Sequence, residues 1–339
     1  MIGRLARRLA WAVFVVWATV SLTFLVNYAL PSDPARMAAG PQARPQDVAR
    51  IRKDLGLDQS LYVQYSRFLG RLVHLGPGAP ADGATKDPQH VNCAHLVWRL
   101  HADLGKSYQQ RRPVVTILAE RLPRTLVLAL AAAFVQLVLG VTAGVIAAAR
   151  KRTAVDHLAV SASLLGISAP TFVIGLFLQW LFAYRLGVLP LDGWGDTTFD
   201  HLKSVILPAL TLGIFGAAYY TRMVRDEMIG QLSQDYVRTA RAKGLSQMAV
   251  TVRHALRNAL VPIVTILGID VGTLVGGAIV TESIFRWPGI GSLSVTAMLD
   301  RDGPVLMGCV IVTSLAVVVS TIAVDFAYAL LDPRVRVPE

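Results

Sequence analysis

The sequence predicts an all-α integral membrane protein with six transmembrane helices, both termini in the cytoplasm, and a large extracytoplasmic segment after the first helix. Of its 339 residues, 54% are hydrophobic and only 16% are charged, against about 25% charged in an ordinary soluble domain. Long apolar stretches recur along the chain, and basic residues concentrate in alternate connections between them. Too little polar surface remains to cover a water-soluble globule, and the apolar content also excludes a disordered chain.

Each apolar stretch is tested by its length, because about 20 apolar residues cross some 30 Å of hydrocarbon. Six candidates emerge, at approximately 9–30, 125–149, 158–184, 204–221, 259–281 and 304–331. The fourth is the shortest, and the last two contain Asp270 and Asp325. The first follows a basic start but exceeds the roughly 7–15 apolar residues of a signal-peptide core. We therefore expect it to be retained as an anchor.

The positive charges orient the chain. Its net charge is +11, and the cytoplasmic loops of membrane proteins collect Lys and Arg. With the N-terminus inside, the inside segments hold fifteen basic residues, whereas the short outside loops 185–203 and 282–303 hold only Arg185, Lys203, Arg286 and Arg301. Both termini are therefore expected in the cytoplasm.

The spans divide the chain into a first transmembrane helix (1–30), an extracytoplasmic segment (31–124), a five-helix core (125–331) and a cytoplasmic tail (332–339). In the external segment, apolar residues at helical spacing predict an amphipathic helix over about 60–74. A shorter helix is expected from Gln46 to Leu55, ended by Gly56. The Gly- and Pro-rich stretch 76–90 is expected to be irregular.

Four potential metal ligands lie close together in the external segment, at and just after the end of the stretch 76–90: His90, Cys93, His95 and His101. Their spacing fits no standard zinc pattern, and a closed zinc site needs four convergent ligands. We therefore predict no metal site and interpret the group as part of a polar surface subdomain. If it is functional, contact with an external partner or a cover over the path is favoured.

The cytoplasmic segment 222–258 carries seven basic and three acidic residues, but it also has a regular apolar pattern. Asp235 is expected to cap a short helix, with Lys243 as its last-turn cation and Gly244 as its C′ glycine. One face of this helix is formed by Tyr236, Val237 and Ala240. Ser246 is expected to cap a second helix, which continues into the fifth span. The two helices and the glycine corner form a compact knob, residues 235–258.

The knob has two interpretations. It is either a basic hairpin that anionic lipids hold at the membrane surface, or a rigid ball that fits a socket on a cytoplasmic protein and transmits its motion. Small residues such as Ala240, Ala242 and Gly244 would allow the close approach that the second interpretation needs. Composition alone does not decide between them.

The motifs of the knob, and the order in which they occur, resemble those of a known protein family. Residues 236–245 (YVRTARAKGL), followed by 254–262 (HALRNALVP), resemble the cytoplasmic EAA loop of ABC transporter permeases, in the form used by dipeptide, oligopeptide and nickel importers. The general signature has Glu-Ala-Ala six residues before the glycine. This chain has Arg238, Thr239 and Ala240 there, in agreement with the variant of this subfamily. Further motifs agree in order, at 121–125, 281–291, 301–304, 324–328 and 331–334.

The resemblance implies the type I ABC importer permease fold and a permease function. The partners that it implies are an external binding lipoprotein that delivers a peptide, and a second homologous permease that completes the path in the membrane lipid. It also implies two cytoplasmic ATPases, whose ATP hydrolysis drives transport. The chain has no phosphate-binding Gly-rich Lys-Ser/Thr loop, so we expect a non-catalytic subunit without a cofactor, with ATP and Mg on the partner subunits. Nucleic acid is not an expected partner, and a bacterial cell membrane is the expected location. The implied ATPase-coupling residues are Asp235, Tyr236, Arg238, Thr239, Ala240, Arg241, Ala242, Lys243, Gly244 and Leu245.

One segment departs from the family pattern. In the family, a short apolar helix like 61–75 leads almost directly into a Gly-Asp-Leu-Gly-x-Ser element, which here resembles 103–107 (DLGKS). Residues 76–102 therefore resemble an insertion. We expect it to contact the binding protein or to cover the entrance to the path.

Inside the spans, three glycines repeat every four residues at Gly268, Gly272 and Gly276. This spacing favours close helix packing, either static or at a gating interface. Pro170 is expected to kink the third span and is a candidate for the path.

Three acidic residues lie within or next to the spans. Asp270 is costly near mid-membrane and is expected to face a water-filled path or a partner. It either attracts the ammonium end of a peptide or accepts hydrogen bonds from hydroxyls such as Thr273, and both residues are candidates for the path. Asp325 is expected to be structural, and Glu282 is expected to be solvated.

Two other functional classes stay open. One is a transporter or channel driven by an ion gradient, which the lack of visible inverted repeats and the knob argue against. The other is a non-transporting membrane scaffold whose loop 31–124 recruits a protein. For an importer, nickel, glutathione or another small solute are alternatives to peptides.

Overall fold

The computed structural model of the chain describes residues 2–29, 34–40, 42–54, 56–75, 93–97 and 100–331. They fall into two compact units, one within Met1–Pro123 and Leu293–Leu315, the other within Arg124–Ser292 and Ala316–Glu339. Helices dominate both units, as the sequence predicts. The predicted tail 332–339 lies outside the described residues.

The first unit begins with four helices, α1 (Ile2–Ala29), α2 (Pro34–Ala39), α3 (Pro45–Asp54) and α4 (Leu61–Leu72). The bounds of α3 and α4 lie within two residues of the prediction. Gly56, after α3, has the positive φ of +67° expected of a helix-ending glycine. The apolar face of α4 packs on α1, where the rings of Phe68 and Phe24 stack with centroids 5.4 Å apart. This packing joins a core that includes Val20 and Met307.

The first unit also contains a small antiparallel sheet, which the sequence does not predict. Its strands β1 (His74–Leu75), β2 (Cys93–Val97) and β3 (Leu100–Asp103) lie in the order β1-β3-β2. Strands of two to five residues are too short to show a two-residue period, and the β1–β3 pair joins residues distant in sequence, such as His74 and His101. Most of the stretch 76–102 lies outside the described residues.

Helices also make up most of the remaining described residues, 114–331. These helices are α5 (Val114–Ala149), α6 (Ala154–Ser168), α7 (Thr171–Leu178), α8 (Thr198–Leu232), α9 (Asp235–Ala242), α10 (Gln247–Ala249), α11 (Arg257–Gly277), α12 (Ile279–Ile284), α13 (Ile290–Leu299) and α14 (Gly303–Leu331). π-Helical segments extend α7 over Gln179–Arg185 and connect α10 to α11 over Val250–Leu256.

Among the described residues, three helices are long and apolar enough to cross a membrane: α5, α8 and the Gly303–Val324 part of α14. Two bent helix pairs, α6 with α7 and Gln247–Leu260 with Pro262–Gly276, raise the number to five if each pair is one span. The apolar part of α1, Ala10–Val26, is shorter. Large apolar side chains such as Phe134 and Leu158 are exposed on these helices, as expected of surfaces that face lipid or other subunits.

The third predicted span is broken rather than kinked. Its axis turns by 101° between α6 and α7. Ala169 adopts an extended conformation (ψ 125°) and Pro170 precedes α7 as its N-cap. Proline lacks an N–H and disfavours helical geometry in the preceding residue, which accounts for a full break.

The fourth predicted span, 204–221, lies inside a much longer helix. Its helix, α8, begins after a capping box, in which the Thr197 hydroxyl accepts from the Asp200 N–H and the Asp200 carboxylate accepts from the Thr197 N–H. It then continues beyond the membrane-length apolar stretch to Leu232, because basic and acidic residues end an apolar run without ending a helix.

Close packing of α5 against α8 builds the core of the second unit. A Cβ on Gly140 would lie 2.4 Å from the Cβ of Tyr220, and a Cβ on Gly144 would lie 2.7 Å from that of Val224. The core continues through Met228 toward the end of α8, where the knob begins.

Candidate functional site

The knob forms where the sequence predicts it, with one difference at its start. The first helix, α9, has Gln234 as its N-cap, and no side chain caps it, so the prediction that Asp235 is the cap is wrong. Asp235 is instead the first helical residue, where a carboxylate interacts favourably with the helix dipole. Its Oδ1 lies 3.3 Å from Nη1 of Arg238, on the exposed side.

The end of α9 is a Schellman turn, built around Gly244. The N–H of Gly244 donates to the carbonyl of Arg241 at 2.9 Å, and the N–H of Leu245 donates to the carbonyl of Ala240 at 3.3 Å. Gly244 has a φ of +77°, a conformation that residues with a Cβ adopt only at a cost. This turn reverses the chain within two residues, and Ser246 then caps α10 by accepting from the N–H of Ala249.

The inner face of α9 fixes the knob to its base. Val237 and Ala240 are buried and pack on Val250 and Leu232. Tyr236 was expected on this face, but it is 37% exposed, and its hydroxyl lies 2.8 Å from the Gln231 amide oxygen. One apolar pair, rather than three side chains, therefore holds the helix.

The outer face of the knob is both cationic and apolar. Its exposed residues include one carboxylate, Asp235, beside Tyr236, Arg238, Thr239, Arg241, Ala242, Lys243, Leu245 and Met248. Met248 is 74% exposed. Apolar side chains beside unburied cations are typical of surfaces that bind another molecule.

A largely buried ion pair ties the C-terminal half of α8 to the start of α6. The Asp156 carboxylate accepts from Nε of Arg225 at 2.5 Å and from its Nη2 at 3.0 Å, in a bidentate geometry. The N–H of Arg152, whose φ is +63°, donates to the same carboxylate at 2.8 Å. The sequence does not identify Arg225 as the partner, although a carboxylate in the first turn of an apolar helix, Asp156, is a visible signal of a buried charge.

Within the predicted spans, the Asp270 carboxylate contacts Tyr220 rather than Thr273. The Tyr220 hydroxyl donates to Oδ2 of Asp270 at 2.7 Å. The Thr273 hydroxyl donates to the backbone carbonyl of Asp270 at 2.8 Å, not to its carboxylate. Asp270 is half-buried, and Thr273 is exposed. The carboxylate therefore joins α8 to α11 by one hydrogen bond.

Two of the three repeating glycines lie against α14. A Cβ on Gly268 would come within 1.9 Å of Cγ2 of Val324, and a Cβ on Gly272 would lie 2.8 Å from the Cβ of Ser320. The Ser320 hydroxyl also donates to the backbone carbonyl of Gly268. Gly276 lies one turn further along the same helix. Pro170 is exposed, at the break between α6 and α7.

Glu282 is fully buried, so the prediction of a solvated side chain is wrong. Its Oε1 accepts from the Thr125 hydroxyl at 2.9 Å and its Oε2 from the Ser292 N–H at 2.8 Å. Gly289 leaves room for the carboxylate, since a Cβ there would lie 2.2 Å from Oε1. Hydrogen-bond donors offset the cost of burying a charge, and the motif 281–291 is folded around this one side chain.

The potential metal ligands are only partly described. His90 lies outside the described residues, and Cys93 and His95 are on β2, where His95 pairs with His101 of β3. His101 is buried, with its ring centroid 5.7 Å from that of His74. In the described part of the chain, no three His, Cys, Asp or Glu residues are grouped as a metal site.

Comparison with protein families supports the resemblance of the motifs. The family described as the inner membrane component of binding-protein-dependent transport systems matches residues 140–337. The family for the N-terminal part of such membrane components matches residues 1–129. Together they cover almost the whole chain.

Curated relatives agree along their full lengths. A Brucella abortus (strain 2308) protein named as a peptide transport system permease is 38% identical, with 99% of each chain covered. The D,D-dipeptide transport system permease protein DdpB of Escherichia coli K12 is 36% identical, over 97% of this chain and 96% of that protein. The glutathione transport system permease protein GsiC of Shigella flexneri is 36% identical, over 99% of both.

A solved structure shares the fold. A chain of the MetNI methionine ABC transporter, in an inward-facing conformation, aligns with a TM-score of 0.54 and 17% identity, over 65% of this chain and 98% of that chain. The predicted resemblance to ABC permeases is confirmed. The chain belongs to the family of inner membrane components of binding-protein-dependent transport systems, the permeases of ABC importers.

Proposed function

We propose that this chain forms half of the translocation path of an ATP-driven peptide importer in a bacterial cell membrane. The names of the relatives support the cargo class, because peptide, D,D-dipeptide and glutathione permeases all handle molecules with amide-linked amino acids. The importer contains a second homologous permease, two cytoplasmic ATPases that bind ATP and Mg, and an external binding lipoprotein. This chain is its non-catalytic membrane subunit.

The proposed topology has six spans and both termini in the cytoplasm. The spans are α1, α5, α6 with α7, α8, the α10–α11 segment, and α14. Residues 31–124 are extracytoplasmic and include the insertion 76–102. The charge asymmetry of the sequence supports this orientation. In the proposed orientation the knob is in the cytoplasm, on the side of the ATPases.

The outer face of the knob is the observation that carries the proposal. Its unburied cations and Met248 are presented on a base that Val237 and Ala240 hold in place. One end of the knob continues into α8 and the other into α11, so a partner that moves the knob moves two spans. The Asp156–Arg225 pair adds α6 to the moving group. Such rigid-body motion between two packed states is how alternating access is produced.

The proposed path includes Asp270 on α11. Its carboxylate has one hydrogen-bond donor, Tyr220, and among the described residues no Lys, Arg or His lies within ion-pair distance. A half-buried intramembrane carboxylate attracts a cation, and the ammonium end of a peptide is the cation that the proposed cargo supplies. Gly268 and Gly272 let α11 slide along α14 during gating.

Site-specific photo-cross-linking tests the coupling contact. A photoreactive amino acid at Arg241, on the outer face of the knob, should cross-link to the ATPase subunit in the assembled complex. The same group at Tyr62, which is 79% exposed on α4, should not. Absence of an ATPase adduct at Arg241 and at Met248, with the complex intact, would contradict the proposed contact.

Peptide uptake by the reconstituted complex tests the functional class. Uptake that requires ATP is expected of an importer, whereas a gradient-driven transporter would take up peptide without ATP and a scaffold would not take it up at all.

A further inference from the structure

Two motifs that the proposed function does not use meet in the first unit. They are the turn after β3, residues 103–107, and the turn before α14, residues 301–304. The carboxylate of Asp302 accepts from the Ser107 hydroxyl at 2.5 Å, and from the N–H groups of Tyr108 and Gln109 at 3.2 and 3.3 Å. Asp302 is 3% exposed. Three donors on one buried carboxylate fix the two turns to each other.

A cavity of about 240 Å³ lies beside these fixed turns. Its volume is below the roughly 300–1,000 Å³ of sites that enclose a whole small molecule, so it fits a headgroup-sized ligand. Part of its wall is apolar, formed by Phe24, Phe68, Leu104 and Met307.

The polar part of the wall carries an excess of hydrogen-bond donors. Arg71 and Arg301 both line the cavity, and neither guanidinium has a hydrogen bond or an ion pair with any residue that the structure describes. The acidic side chain in the lining, Asp103, uses Oδ1 to accept from the N–H of Gly105 at 2.7 Å. With two cations against one carboxylate, the lining is net positive.

Tyr108 adds a neutral donor to the lining. Burial raises the pKa of its phenol, the Asp302 carboxylate raises it further, and the Arg71 guanidinium opposes the rise. The phenol therefore keeps its proton at neutral pH. A hydroxyl beside two guanidinium groups is suited to phosphate oxygens, which accept several hydrogen bonds at once.

The cavity lies at the ends of two helices of the proposed membrane topology, α1 and α14. Phe24 is close to the C-terminal end of α1, and Met307 is in the first turns of α14. At such ends the hydrocarbon gives way to lipid headgroups. A ligand here meets apolar side chains on one side and cations on the other, which matches the chemistry of a phospholipid at its phosphate.

We propose that this cavity binds the phosphate group of an anionic phospholipid, with Arg71 and Arg301 as the charged contacts and Phe24 and Met307 against the start of the acyl chains. Basic pockets between membrane helices bind anionic headgroups in this way. The site depends on the chain lying in a membrane and not on its cargo, its orientation or its ATPase contact.

Native mass spectrometry of the full-length chain, titrated with dioleoyl-phosphatidylglycerol or dioleoyl-phosphatidylcholine, tests the site. The double variant Arg71→Gln/Arg301→Asn removes both charges, and Asn suits position 301 because Arg301 has a φ of +53°. Its affinity for phosphatidylglycerol should fall by about tenfold or more. Arg67→Gln, an exposed change on the same helix as Arg71 and outside the cavity, should leave binding unchanged.

The outcomes separate the lipid from simpler ligands. Phosphatidylglycerol should bind more tightly than phosphatidylcholine, and excess inorganic phosphate should not displace it, because the acyl chains contribute to binding. Equal binding of the two lipids, unchanged affinity in the double variant, or displacement by inorganic phosphate would each overturn the proposal. An unchanged thermal transition shows that the double variant is folded.

Discussion

Replacing Gly244 should uncouple ATP hydrolysis from peptide uptake without unfolding the rest of the permease. Its φ of +77° costs an L-residue about 1–2 kcal/mol, and a Cβ there would meet no heavy atom within 4 Å. The penalty is therefore conformational and not steric. About 1–2 kcal/mol shifts an equilibrium between formed and opened states by roughly 5- to 30-fold, here toward loss of the Schellman turn that ends α9.

The size of the effect should follow the backbone preference of the substituted residue. Asn tolerates the left-handed region, Ala tolerates it less, and β-branched Val least. The amount of peptide taken up per ATP hydrolysed by the reconstituted complex should therefore fall progressively from Gly244→Asn to Gly244→Ala to Gly244→Val. Gly230→Ala is the matched control, because Gly230 has no positive φ and also faces open space. Wild-type uptake per ATP in Gly244→Val would refute the reasoning.

Three further changes test packing and buried charge, each by the thermal transition of the purified protein. Asp156→Asn removes the buried carboxylate that Arg225 contacts and leaves only the exposed Asp226 as its acidic partner. Breaking a buried pair costs about 3–5 kcal/mol, so a clear fall in Tm is expected. Gly289→Ala forces a Cβ into the carboxylate of Glu282 and should lower Tm as well. Gly268→Ala should lower Tm because its Cβ meets Val324 at 1.9 Å.

Each of these changes has a control of its own. Asp226→Asn removes a 67% exposed side-chain partner of Arg225 and should change Tm little, since exposed pairs contribute about 0–1 kcal/mol. Gly70→Ala, in a helix with open space around it, should be neutral or stabilising. Val324→Ala should restore part of the stability lost in Gly268→Ala. A loss in the controls equal to that in the test variants would contradict the packing account.

Local chemistry made the knob predictable. The cap at Ser246 and the glycine at Gly244 act within one helical turn, so the sequence alone places them. The helix begins one residue earlier than predicted, with Gln234 as its cap, because an acidic residue such as Asp235 suits the cap and the first turn almost equally.

Long-range contacts account for what the sequence did not reveal. Glu282 follows an apolar run and precedes an exposed arginine, which is typical of a solvated helix end. Its burial depends on Thr125, more than 150 residues away. The same holds for Ser107 and Asp302, and for the β1–β3 pairing. In each case the deciding partner is set by the tertiary fold, and no local pattern encodes it.

The most direct test of the account is the amount of peptide imported per ATP hydrolysed when the outer face of the knob is reversed in charge. Arg238→Glu/Arg241→Glu should abolish uptake by the reconstituted complex, either because the ATPase dissociates or because it hydrolyses ATP without transport. Arg50→Glu/Lys53→Glu, an equal reversal on exposed residues of α3, should import normally. Wild-type uptake in the knob variant would contradict the central claim that this face receives the work of ATP hydrolysis.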